Sequence, residues 1–74
     1  VYQLLHATET GPYRRSDPVP TVDQVTDLTV SVLMIGGRIP RPEALRFARA
    51  LVRKPVGSEW THLRTGYRFR ITEY

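Results

Sequence analysis

Residues 22–35, VDQVTDLTVSVLMI, satisfy two templates at once. Leu28, Val30, Val32 and Met34 alternate with Thr29 and Ser31, the period of a strand rich in β-branched side chains. A helix fits the longer span better. At about 100° per residue, Val22, Val25, Leu28, Val32, Leu33 and Ile35 share one apolar arc, with Asp23, Asp27 and Ser31 on the opposite side. Leu33 breaks the strand alternation but suits the helix. Thr21 followed by Gln24 is a capping-box pair, and Asp23 suits the positive end of the helix dipole. Gly36 suits a left-handed C-terminal cap. Start, stop and period together predict a helix over 22–35. A strand there would instead make a more sheet-rich sandwich with a single helix.

Downstream, residues 42–54 (PEALRFARALVRK) predict a second helix. Pro42 fits the first helical position, Glu43 the first turn, and Arg53 and Lys54 the last turn before Pro55 stops it. Ala44, Leu45, Phe47, Ala48, Leu51 and Val52 form its buried stripe, and Arg46, Arg49 and Arg53 its exposed one. The short connection Gly36-Gly37-Arg38-Ile39-Pro40-Arg41 makes the two helices a helical hairpin or a helix-turn-helix.

The flanks read as strands. Val1 to Thr8 is apolar and aromatic-rich. Gly11-Pro12 and Asp17-Pro18-Val19-Pro20 make residues 10–20 turn and extended linker, within which Tyr13-Arg14-Arg15 is a short return strand. Residues 58–74 predict a β-hairpin, because Tyr67, Phe69 and Ile71 alternate with Arg68, Arg70 and Thr72 beyond Gly66. Two registers compete. A three-residue loop pairs Leu63 with Tyr67 and Thr61 with Phe69, leaving Trp60 and His62 exposed beside Arg70 and Arg68. A two-residue loop puts Trp60 opposite Ile71 and His62 opposite Phe69, and buries the tryptophan as a core anchor, the reading a chain this short of core favours. The expected fold is one α+β domain over 1–74. It comprises an N-terminal strand, the helix pair, and a C-terminal hairpin pairing with that strand. Strands decorated like the second half of the hairpin resemble the wing of a winged helix, with helix 42–54 as recognition helix. Strands at both termini would be open edges and invite a homodimer.

Composition excludes much chemistry. The 74 residues contain no cysteine, which rules out a disulfide scaffold, a thiolate zinc site and a cysteine nucleophile. No apolar run approaches the roughly 20 residues that span a bilayer, and no signal-peptide pattern opens the chain, so a cytoplasmic protein without membrane contact is expected. The chain opens at Val1 without an initiator methionine and closes inside a predicted strand, the pattern of a sequence trimmed at either end. His6 and His62 are the only histidines, and nothing at ligand spacing accompanies either. Asp23 and Asp27 read as solvated carboxylates rather than a cation site. Ser58, His62 and Glu59 or Glu73 form a hydrolytic triad only on paper, without a strained elbow or an oxyanion loop. No enzyme, cofactor or metal is expected.

Charge is the one positive signal. Residues 1–37 carry two arginines against four acids, a net −2, whereas residues 38–74 carry nine cations against three acids, a net +6. The nine are Arg38, Arg41, Arg46, Arg49, Arg53, Lys54, Arg64, Arg68 and Arg70. Arginine's dominance over lysine also follows from GC-rich codons, so placement matters more than content. Guanidinium groups along one helix face clamp successive phosphates or reach guanine edges, and Arg68 and Arg70 would extend that patch. The sequence therefore points to a small basic nucleic-acid-binding protein, with duplex DNA favoured over RNA, in a regulatory or accessory role of the bacterial or phage kind. The rival is a protein-interaction module. It would dock an acidic partner on the arginines, or use Tyr2, Leu4, Tyr13 and Trp60 as an apolar or homodimeric interface.

Overall fold

The computed structural model describes Val1–Tyr74. Its elements in chain order are β1 (Tyr2–Ala7), β2 (Arg14–Arg15), α1 (Val22–Ile35), α2 (Arg41–Leu51), β3 (Glu59–His62) and β4 (Tyr67–Glu73). The 22–35 segment is helical from end to end. The predicted capping box is present: the Gln24 amide N–H donates to Thr21 Oγ1 at 3.3 Å, and the Thr21 N–H donates to Gln24 Oε1 at 3.2 Å. The two helices hold 14 and 11 residues, about a third of the chain.

Both helices lie on one face of a four-stranded antiparallel sheet of order β2-β1-β4-β3. Its centre is the pairing of the two terminal strands, from Tyr2 opposite Glu73 to Ala7 opposite Arg68. The terminal strands are thus interior, and the open edges are the two-residue β2 and the four-residue β3. This corrects the expectation of open edges at the terminal strands as a route to a homodimer, because β1 is paired by β2 and β4 and β4 by β1 and β3. The return strand at Arg14 and Arg15 forms as expected, against Leu5 and His6.

Leu4, Val25, Leu33, Ala44, Ala48, Leu51, Phe69 and Ile71 fill the space between sheet and helices. Thr29 and Val30, outside the predicted arc of α1, are buried too, since α1 is covered on two sides by the sheet and by α2. Thr29 tolerates burial by donating its hydroxyl to the Val25 carbonyl at 2.9 Å. Ile35, at the helix end, is 81% exposed and leaves the arc.

Three local expectations change. Gly36 is right-handed helical (φ −78), and the left-handed residue is Arg38 (φ 55). Gly36 and Gly37 serve close approach instead: a Cβ on them would meet the Tyr67 ring at 3.3 Å and Thr65 Cγ2 at 3.1 Å. The helix predicted over 42–54 ends at Leu51. Arg53 and Lys54 wind on in a tighter turn, donating to Ala50 and Leu51 carbonyls, because the residue before Pro55 is driven out of the helical region. The hairpin adopts neither predicted register. A four-residue loop, Leu63–Gly66, pairs His62 with Tyr67 and Trp60 with Phe69. Gly66 (φ +77) closes it by donating to the His62 carbonyl at 2.7 Å.

Candidate nucleic-acid interface

This register returns Trp60 and His62 to the helix-covered face. His62 lies over the layer interior and is 6% exposed, whereas Trp60 sits at the rim of the edge strand and is 39% exposed. The buried-anchor reading of Trp60 is thereby corrected. With no strand outside β3, nothing covers the outer half of the ring. The Lys54 ammonium lies 4.1 Å from the ring centroid, so the tryptophan borders the end of α2 rather than Arg70.

Around α2 the cations stand free. Arg38, Arg41, Arg46, Arg49 and Arg53 are exposed, and none has a carboxylate within 4.0 Å. Arg41, Arg49 and Arg53 line an open groove of about 450 Å³ between the helices. Leu45 and Val52 form its apolar wall, and Asp23, Thr26 and Asp27 of α1 face them. The two aspartates are solvated as expected, but the sequence placed the acids away from the arginines. Packing of α1 against α2 brings the polar flank of α1 alongside α2.

The remaining expected cations lie elsewhere. Arg64 is paired with Glu43 at 2.5 Å. Arg68 and Arg70 alternate with the buried Phe69 and Ile71, so they project from the sheet face opposite the helices. This corrects the single continuous patch: strand alternation and the thickness of the helix layer separate these two arginines from α2. They are also engaged. Arg68 donates through Nε to the Thr8 carbonyl at 3.1 Å and through a terminal nitrogen to the Gly11 carbonyl. Arg70 approaches Glu59 at 3.9 Å. The Tyr13 ring lies 5.0 Å and 5.6 Å from the two guanidinium groups and donates its hydroxyl to Glu59. Burial, and then the Glu59 carboxylate, raise the Tyr13 pKa.

The apolar interface proposed for the rival reading does not assemble. Leu4 is fully buried, Tyr13 lies on the outer sheet face, and Trp60 lies on the helix side. Nor does the paper triad. His62 contacts Glu43 through Nε2 at 3.3 Å and Thr65 Oγ1 through Nδ1 at 2.9 Å, with Phe47 edge-on at 5.0 Å, so it packs the hairpin against α2 and leaves Ser58 aside. No group of three or more His, Asp or Glu side chains converges as a metal site, and no helix is long and apolar enough to cross a membrane. Comparisons with protein-family models, curated proteins and solved structures find no match. Sequence reasoning missed two relationships on this surface. The Lys54–Trp60 contact depends on hairpin register. The place of Asp23 and Asp27 was within reach, since a short connection makes the helices packed neighbours.

Proposed function

We propose that the protein binds nucleic acid through α2 and its flanking turns. The observation that carries this reading is the set of five exposed arginines, Arg38, Arg41, Arg46, Arg49 and Arg53, with no carboxylate within 4.0 Å. Guanidinium groups left without an internal partner are available to phosphate oxygens. A single strand suits this surface better than the duplex favoured by sequence alone. In a duplex major groove α2 would have phosphates on both flanks, and Asp23 and Asp27 on its α1 side would repel one strand. A single strand can follow the arginines alone and stack a base on the half-exposed Trp60 once Lys54 swings aside. A cytoplasmic accessory or regulatory protein is the role that goes with this reading.

The test is a salt titration against single-stranded and duplex DNA of equal charge. For a single strand the slope of log K against log salt is roughly −0.7 per phosphate contact, so Arg49→Gln with Arg53→Gln lowers its magnitude by about 1.4. Arg14→Gln with Arg15→Gln, on the far edge of the sheet, changes it far less. Equal losses from both pairs mean diffuse attraction without a docking helix. Tighter duplex binding at equal salt returns the preference to duplex DNA. No binding of either by the folded protein at low salt rejects the reading and leaves an acidic protein partner for the same arginines.

A further inference from the structure

We propose that the α1–α2 groove selects a base bearing an exocyclic amine, favouring cytosine over thymine in a bound single strand. This rests on the nucleic-acid reading above and goes further, to base preference. Asp23 and Asp27 face Arg41, Arg49 and Arg53 across a groove of about 450 Å³, yet none of these five charges pairs with another within 4.0 Å. All five side chains belong to exposed residues and are open to a ligand. A ligand that satisfies both walls carries an anion and a hydrogen-bond donor a few ångströms apart. A nucleotide does so. Its phosphate suits the guanidinium groups, and the N4 amine of cytosine donates to a carboxylate. Thymine presents a carbonyl oxygen at the same position, which a carboxylate repels. Leu45 and Val52 supply apolar surface for the ring, and the groove volume falls within the roughly 300–1,000 Å³ of ordinary ligand sites. Asp23 and Asp27 would be specificity residues, and the arginines would supply affinity.

Oligo(dC) and oligo(dT) of equal length separate the two contributions, since they carry the same phosphates and pyrimidine rings of similar size. Wild type should prefer oligo(dC) by about fivefold, the low end of what one base-edge contact discriminates. Asp23→Ala with Asp27→Ala should abolish the preference and bind oligo(dT) more tightly than wild type, because two repulsive charges are gone. Asp23→Asn with Asp27→Asn supplies amide N–H donors that the thymine carbonyl accepts, and should raise oligo(dT) affinity and narrow the preference. Arg49→Gln should weaken both oligomers equally. Equal binding of the two oligomers by wild type, or a preference that survives the double alanine variant, overturns base selection and leaves the nucleic-acid reading standing. Absence of binding to either oligomer by the folded wild type overturns both.

Discussion

Glu43 on α2 holds the imidazole Nε2 of His62 on β3 at 3.3 Å, and this contact joins the first turn of the arginine-bearing helix to the edge of the sheet. The histidine is 6% exposed and its other nitrogen meets Thr65 Oγ1 at 2.9 Å, so both ring nitrogens have partners. The orientation of α2, and with it the direction in which Arg41, Arg49 and Arg53 point, depends on this polar contact as well as on the Phe47 and Phe69 rings 5.3 Å apart.

Glu43→Ala leaves the buried Nε2 without a partner and should cost about 1–3 kcal/mol, a large share of the stability of a domain this small. Arg64→Ala removes only the other contact to Glu43, from a side chain 65% exposed, and should cost below about 1 kcal/mol. Urea unfolding of the two variants checks the ordering. Equal costs would mean that the carboxylate serves Arg64 rather than His62.

Trp60, 39% exposed, should emit at a wavelength between buried and free indole and be open to quencher. Trp60→Ala should stay folded, whereas Phe69→Ala, which empties a fully buried site, should lose about 3–5 kcal/mol. If a single strand stacks on the ring, adding it shifts and quenches the emission of the only tryptophan in the chain.

His6 should make stability fall on mild acidification. Burial first, and Arg14 on the neighbouring strand second, hold its pKa below the ordinary 6.5. Between that depressed value and 6.5 the unfolded chain binds more protons than the folded one. The contribution is therefore full above 6.5, is lost as pH falls through this window, and is flat below the folded value. Urea midpoints from about pH 7.5 to about pH 5.5 should show the decline, and His6→Gln should flatten it.

Arg68→Gln should loosen the 8–13 loop, since the guanidinium ties the Thr8 and Gly11 carbonyls and lies under the Tyr13 ring. Amide exchange in that loop should rise, with no loss of nucleic-acid affinity, because Arg68 projects from the face opposite α2. A fall in affinity as large as that of Arg49→Gln would place the sheet face in the binding surface.

Sequence alone determined the features governed by neighbours a few residues apart. The capping box at Thr21 and Gln24 and the 3.6 period chose helix for 22–35 over its partial alternation, and Pro42, Glu43 and Pro55 bracketed the second helix to within three residues. The pairing of the N-terminal strand with the C-terminal hairpin was also legible, as was the basic charge of the second half. Tertiary structure decided the rest. A four-residue loop, rather than three or two, chose which face Trp60 and His62 occupy, and strand parity alone cannot foresee loop length. Pairing of β1 with β4 moved the chain ends to the middle of the sheet, and docking of both helices on the Phe69 and Ile71 face left Arg68 and Arg70 on the side away from α2. The helix pair then set Asp23 and Asp27 against the arginines. These outcomes depend on contacts between residues distant in sequence, which local period and capping do not encode.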